Sequence, residues 1–440
     1  MNTLSRLTLV LLAATSLAAC DFLEQTSESD LEKEVIFSND QGVEAAIAGA
    51  YERTQDPMDD YVVFSDLAAD FAQHTGSFPS WTEVDSHLLT TNNAESTGQY
   101  IDWFELVDQA NQILDNVGQE PIEGLLPARA TEIVGEAYFF RAFAFHNLTK
   151  WFGAIPLPLT TVVNPDDQEE ITIARSSVDE VYAQILSDLD NAASRVADER
   201  SVGLVDADVV TALRARVLLY DGQYEAAADA AESLEARYPL VPLTNLYNSL
   251  NSQESIWELQ YNVTDGNSMA FFAFRTAQGG RFEYGPTPQA TALFTADDGR
   301  RPFNLRDIGG TIIGKYFRIQ DADDHHFVFR GAEMLLIRAE AAARRGDTEE
   351  AVELVNRIRA RAGVVEVDDE DIDSGEIALD LVLEERAREL AYEGHRWHDL
   401  VRTGRAVATL DDLDREEFTL WPIPQRELDV NGLLTQNPGY

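Results

Sequence analysis

Gly135-Glu136-Ala137-Tyr138-Phe139-Phe140-Arg141-Ala142-Phe143-Ala144-Phe145 is the stretch from which the fold is read. It lies inside a run from about Ala130 to Phe152 that is rich in Ala and Phe. A helix apolar on nearly every side is a core helix, so this segment is expected at the centre of the molecule. Outward from it the helical pattern continues in both directions. Asp40 is placed to cap a helix from about Gly42 to Arg53, with Ala45, Ile47, Ala48 and Tyr51 as its apolar positions. A second helix is expected from about Tyr100 to Val117. Others are expected near 178–197, 207–220, 223–237, 330–345, 347–362 and 376–403, most of them joined by short Gly or Pro turns that favour antiparallel neighbours.

Two helix pairs carry a repeat signature. Between Asp206 and Pro239, Gly222-Gln223-Tyr224 marks a turn, followed by Ala227 and Ala231 at helical spacing. Around Ala339 to Gly363 the arrangement recurs, with Gly346 at the turn and then Ala351, Val355 and Ile358. These spacings resemble tetratricopeptide units, in which small residues let paired helices pack closely. Periodicity alone leaves a generic helix bundle as the competing reading. Two stretches break the pattern: Asp70 to Thr91, with His74, Phe78, Pro79 and Trp81, and Tyr261 to Ile319, rich in Gly, Asn and aromatics. Both suit loops carried on a rigid scaffold.

The 440 residues include 78 Asp and Glu against 33 Lys and Arg, a formal net charge of −45. Nucleic acid is excluded as a partner, because phosphate binding needs a basic face. Disorder is excluded by 21 Phe, 14 Tyr and 6 Trp. The bases are almost all Arg, with Lys only at Lys33, Lys150 and Lys315. High acidity with so little Lys reads as a surface adapted to strong brine, where salt screens self-repulsion.

The single cysteine, Cys20, permits neither an intramolecular disulfide nor a Cys-based metal site. Residues 1–19 carry Arg6, a short apolar run and then small residues, which reads as a secretory signal peptide. Leu17-Ala18-Ala19-Cys20 resembles the lipobox of bacterial lipoproteins, where cleavage precedes the cysteine and acyl chains are added to it. Several acyl chains on one residue anchor stably where one does not. A soluble body tethered through Cys20 is the expectation.

Four ordered segments together resemble the SusD/RagB family across nearly the whole mature chain. The first is the opening stretch with its continuation Trp151-Phe152-Gly153-Ala154-Ile155-Pro156-Leu157. The second runs from Phe329 through Arg330 and Glu333 to Ala341, and the third from Glu385 through Gly394 and Trp397 to Leu400. The last spans Leu420-Trp421-Pro422-Ile423-Pro424-Gln425 and closes on Gln436-Asn437-Pro438-Gly439-Tyr440. The resemblance implies a mainly helical, all-α, SusD-like fold with four tetratricopeptide-like pairs, near 41–118, 130–197, 206–239 and 330–363, in one domain over 20–440. It places a variable ligand-binding region at 261–319. It further implies a non-enzymatic outer-membrane lipoprotein that captures a glycan and delivers it to a TonB-dependent transporter of the SusC/RagA type. Peptide capture within the same family, or a surface tetratricopeptide scaffold for protein partners, are the alternatives.

Catalytic and metal motifs are incomplete in this sequence. Gly309-Gly310-Thr311-Ile312-Ile313-Gly314-Lys315 starts like a phosphate loop, but Tyr316 stands where Ser or Thr must bind magnesium. His395 and His398 lack HExxH spacing; Glu385, Arg386, Arg388, Glu389, Arg396 and Asp399 around them read instead as ion pairs locking a helix to the scaffold. Asp369, Asp371 and Asp373, with Asp380 at the twelfth position, begin like a calcium loop, but Ser374 replaces the required Gly. The run reads as a solvated acidic loop, and no cofactor is expected. For ligand capture, sugar rings stack their C–H faces on aromatic platforms while hydroxyls need polar partners. Trp81 is the leading candidate, as an exposed platform, with His74, Phe78, Arg275, Phe282 and Tyr284 beside it and Asn262 and Asn267 as weaker choices. Phe271, Phe272 and Phe274 are read as core packing at least as readily as ligand contacts.

Overall fold

The structure, a computed structural model, describes residues 35–161, 172–199 and 202–440. The leader and Cys20 lie outside the described residues. Helix α1 (Asp40–Leu67) packs beside α3 (Ala94–Asn116), with the short α2 (Pro79–Asp85) between them in sequence. Next come α4 (Pro127–Phe152) and α5 (Val178–Ala193), then the hairpin of α6 (Ala207–Tyr220) and α7 (Tyr224–Glu235). After the short helices α8 (Leu243–Asn248), α9 (Met269–Ala273), α10 (Pro288–Leu293) and α11 (Arg301–Asn304), α12 (Gly331–Arg345) and α13 (Thr348–Ala362) form a second hairpin. The chain ends with α14 (Gly375–Glu389), α15 (Arg396–Arg402), α16 (Ala406–Thr409) and α17 (Gln425–Val430).

Helix starts follow side-chain chemistry. Ser177 and Glu180 form a capping box at α5, and the Asn93 carboxamide accepts from the Glu95 and Ser96 amides at α3. Several helix boundaries differ from the sequence expectation: Asn39 rather than Asp40 caps α1, and α3 starts at Ala94 rather than near Tyr100. α1 does not stop near Arg53 but continues through Pro57 to Leu67. A proline inside a helix costs about 3 kcal/mol. Burying Met58, Tyr61, Val62, Val63, Phe64 and Leu67 beyond it, at ~1.5–3 kcal/mol for each large apolar side chain, outweighs that. The single helix expected over 376–403 is two, because Tyr392 (φ 60°) and Gly394 (φ 80°) turn the chain between α14 and α15. A Cβ at Gly394 would fall 2.6 Å from the Tyr61 ring, so this turn is also where the chain closes on α1.

α4 is the centre of the core, as its composition demands. Phe139, Phe140, Phe143, Phe145, Trp151 and Phe152 are all buried. Phe143 meets Trp103 edge-on at 5.5 Å, and Phe139 meets Trp257 at 5.2 Å. Its one buried guanidinium, Arg141, donates to both Asp188 oxygens (2.8 and 2.7 Å) and to the Asn111 side-chain oxygen (2.8 Å), tying α4 to α5 and α3. The C-terminal segment closes over the end of α4: the Trp421 amide donates to the Trp151 carbonyl at 2.7 Å, and Asn437 donates to the Phe152 and Trp421 carbonyls.

Four two-stranded antiparallel pairs complete the described residues. They are β1 (Ala72–His74) with β5 (Tyr284–Pro286), β2 (Ile155–Pro156) with β3 (Arg175–Ser176), β4 (Ser255–Leu259) with β8 (His326–Arg330), and β6 (Leu305–Asp307) with β7 (Thr311–Ile313). The glycine run dismissed as a phosphate loop is the turn and second strand of the β6–β7 hairpin. Its Lys315 is buried, donating to the Ala391 carbonyl and to Glu393. The ion pairs expected around 385–399 are present: Arg300 and Arg359 hold Glu385, Arg330 and Arg361 hold Glu389, Arg386 holds Asp399, and Arg396 holds Asp70. His398 is a core ring, 4.5 Å from Trp151 and stacked on Tyr61 at 5.2 Å.

Buried carboxylates make stability depend on pH. Asp60 is pushed up to about 7 by burial and by Glu95, Asp59 and Asp102. Asp59 and Asp102 rise to about 6, chiefly through burial. Glu340 moves the other way: burial acts to raise it, but the Arg402 fork brings it down to about 2. Groups raised above their unfolded values give stability that is complete near pH 4 and lost as pH climbs through about 6–7. Glu340 gives stability present above about pH 4.5 and lost towards pH 2. Buried His146, His326, His395 and His398, held low by burial, oppose the raised carboxylates with stability that is lost as pH falls below about 6.5, so the melting temperature is expected to vary little around neutrality and to be several degrees lower at about pH 3 than at about pH 6 in dilute buffer. Molar potassium chloride, with a Debye length of about 3 Å, should narrow that gap without closing it, since burial is not screened. Thermal scans at the two pH values and two salt concentrations check this; equal melting temperatures throughout would contradict it.

Candidate functional site

The two irregular stretches form one face. β1 and β5 pair in the register Ala72↔Pro286, Gln73↔Gly285 and His74↔Tyr284, which brings 70–91 against 269–286. The junction is locked by Glu283. Its carboxylate accepts from the Ser77 amide at 2.7 Å, from His74 Nε2 at 3.3 Å and from Arg281. Burial acts to raise this carboxyl, but those donors hold it below the usual range. A carboxylate committed to so many donors is in no position to serve as a general acid or base.

Inside this face sits a buried aromatic cluster. Trp81 is only 4% exposed and lies 5.3 Å from Phe272, 5.4 Å from Phe64 and Phe78, and 6.2 Å from Tyr284, ring centre to ring centre. Tyr284 is 2% exposed. Trp81 is therefore not the exposed platform expected from the sequence, and Tyr284 is not a surface ring either. A polar, Pro-containing loop suggested exposure, but that loop folds as α2, whose Trp81 and Val84 turn inward onto α1. Asn267 is also structural, whereas Asn262 stays exposed in a local turn. Asn262 accepts from the Thr264 amide and hydroxyl, and buried Asn267 donates to the Asp324 carbonyl. His74 is spent between Thr82 and Glu283.

The surface belongs to other rings. Phe271 is 43% exposed, because α9 buries Met269, Ala270 and Ala273 on its opposite side. Phe272, Phe78 and Phe282 are half-buried around it, with Phe271–Phe272 at 5.3 Å and Phe272–Phe78 at 6.1 Å. Two guanidiniums cap these rings: Arg281 lies 4.1 Å over Phe78, and Arg275 3.9 Å over Phe282. Phe282 has φ 55°, a left-handed conformation that costs a bulky residue on the order of 1–3 kcal/mol and that gathers at functional sites. The structure thus brings His74, Phe78, Trp81, Arg275, Phe282 and Tyr284 together but leaves only Phe78, Arg275 and Phe282 at the surface. Phe271, Phe272 and Arg281, outside the candidates chosen from the sequence, lie beside them on the same face. The spacing of Met269, Ala270 and Ala273 on one side of a short helix was the signal for Phe271.

Exposed rings of this kind are suited to stacking a sugar ring. Two grooves lie elsewhere. One of about 1000 Å³ runs between the α6–α7 turn and the facing ends of α12 and α14, lined by Tyr224, Arg344 and Glu376. Another of about 630 Å³ lies between α3 and α17, lined by Tyr100, Phe104 and Val430. Among the described residues, no group of three His, Cys, Asp or Glu side chains is placed to hold a metal ion, and no helix is long and apolar enough to cross a membrane.

Known proteins resemble this chain along its length. A family profile described as starch-binding and associating with the outer membrane matches residues 21–219, and the SusD family profile matches residues 316–417. SusD-like protein P38 of Formosa agariphila is 26% identical over 98% of both chains. A SusD-like protein of Bacteroides ovatus is 21% identical over 90% of this chain and 82% of its own. A laminarin-binding SusD-like protein shares the fold at TM-score 0.78 and 22% identity, over 92% of this chain and 100% of its own. Surface glycan-binding protein A from Bacteroides fluxus does so at TM-score 0.77 and 21% identity, over the same shares. With both family profiles met in order, and with this helical fold shared by its relatives, the chain belongs to the SusD/RagB family.

Proposed function

We propose that this protein is a cell-surface receptor that captures an oligosaccharide and passes it to a TonB-dependent outer-membrane transporter of the SusC/RagA type, catalysing no reaction itself. The observation that carries the reading is the aromatic face at the β1–β5 junction. There Phe271, Phe272, Phe78 and Phe282 offer ring surfaces, and Arg275 and Arg281 offer donors. Glycan binding by relatives of the same fold supports it, as does the description of the family profile over residues 21–219. Titration of the chain from Asp21 onward against panels of oligosaccharides and of peptides tests it. Saturable binding to an oligosaccharide is expected. Binding to peptides alone would replace the glycan reading with peptide capture, and binding to neither would remove the capture role.

The same proposal anchors the body through acyl chains on Cys20. Cys20→Ser is expected to move the protein from the membrane to the soluble fraction, since no described helix is able to span a bilayer in its stead. Fractionation is done in cells lacking the transporter, so that a protein partner does not retain the variant. Retention there would refute the anchor.

A further inference from the structure

The chain carries 78 acidic against 33 basic residues, yet the stretch 261–319 reverses the sign, with seven Lys and Arg against five Asp and Glu. In so acidic a protein an arginine readily finds a carboxylate, and the core arginines do so several at a time. Arg275 and Arg306 do not: among the described residues neither has a carboxylate within ion-pairing distance. Arg275 is stacked on Phe282, and its Nε is buried with no hydrogen-bond partner. The side-chain oxygen of Gln278, on the same loop, is also buried and unpartnered. An unsatisfied buried donor is costly, so a loop that keeps one together with an unpaired acceptor is a place where a ligand would add hydrogen bonds.

The β6–β7 turn leaves room for that something. Arg275 lies against Gly310, where a Cβ would fall 2.8 Å from its Nη2, and a Cβ at Gly309 would meet nothing within 4 Å. These glycines put no side chain between the guanidinium and solvent. Arg306, on β6 of the same hairpin, lies 4.4 Å over Phe317 and donates Nε to the Gly314 carbonyl at 3.1 Å. Arg275 is thus oriented by an aromatic ring, and Arg306 by a ring and a backbone carbonyl, rather than by ion pairs with carboxylates. A planar fork held in this way matches a carboxylate or a sulfate ester, and a neutral sugar has no need of it.

We propose that this face takes an oligosaccharide bearing anionic groups, uronate carboxylates or sulfate esters, and that Arg275 contacts the anion; the inference rests on the glycan-capture reading. In molar salt the field of the whole protein is screened within about 3 Å, so discrimination rests on direct contact by a positioned guanidinium rather than on long-range attraction.

Two matched pairs test it by calorimetry on the chain from Asp21 onward. One compares oligogalacturonate with its carboxyl-reduced neutral form; the other compares a sulfated galactan oligosaccharide with its desulfated form. The anionic member of at least one pair should bind about tenfold more tightly than its neutral counterpart, and the pair that responds identifies the anion. Arg275→Gln should cost about tenfold on the anionic ligand and clearly less on its neutral counterpart, so that the preference within the responding pair is lost. Arg275→Lys should recover part of the loss, and the melting temperature should not change. If Arg275→Gln does not fold, Arg306→Gln and the wild-type comparison decide. Equal affinity within both pairs would overturn the anionic inference while leaving glycan capture standing. Failure of every carbohydrate to bind the folded wild type would overturn the capture reading, and this inference with it.

Discussion

Arg330→Ala is expected to cost about 3–5 kcal/mol of folding stability, the range for removing one partner from a buried ion network. Arg330 is buried and donates to Glu393 at 2.9 and 3.0 Å, to Glu254 at 3.0 Å, and to the side chain and carbonyl of Glu389 at 2.6 Å each. It therefore ties the end of β8 and the start of α12 to the turn after α14. Without it, Glu254, Glu389 and Glu393 share a dry site with only Arg361, Arg300 and Lys315 left to offset them. Burial acts to raise Glu389 and Glu393, and arginines including Arg330 are what hold both below the usual range. Losing Arg330 lets these carboxyls take up protons, so the destabilisation should shrink as pH falls from about 8 to about 5. Urea unfolding at both pH values measures it. A loss below about 1 kcal/mol at the higher pH, the size of a surface pair, would show that this cluster is not what closes the fold.

Trp81→Ala should prove comparably damaging, at about 3–5 kcal/mol, the usual cost of emptying a buried tryptophan site. The ring fills the space between α1, α2, α9 and β5, touching Phe64, Phe78, Phe272 and Tyr284. Trp81→Phe keeps part of that volume and should lose distinctly less. Because Phe78 and Phe272 rest on Trp81, any loss of ligand affinity should accompany the loss of stability. Reduced affinity with an unchanged melting temperature would restore Trp81 as a surface platform.

The sequence by itself determined what depends on local periodicity and on composition. The apolar run at 130–152 had to be a central helix, because no face of it tolerates water, and α4 is that helix. The charged segment at 385–399 had to pair internally, and each of its six charged residues named above has an ion-pair partner. The four ordered motifs pointed to the SusD/RagB fold, and the two aperiodic stretches to loops carried on it; the pairing of β1 with β5 is what joins them in one face. The tertiary structure alone decided which residues of that surface face outward. Exposure at Trp81 depends on Phe64, Phe272 and Tyr284, which arrive from chain segments some 17 to 200 residues away, and no local pattern encodes their arrival. The break between α14 and α15 follows from the same cause, since Gly394 turns where Tyr61 leaves no room for a side chain. Arg275 and Arg306 look in sequence like any of the chain's thirty arginines. Only the fold, by keeping the carboxylates of the described residues beyond ion-pairing distance, left them unpaired.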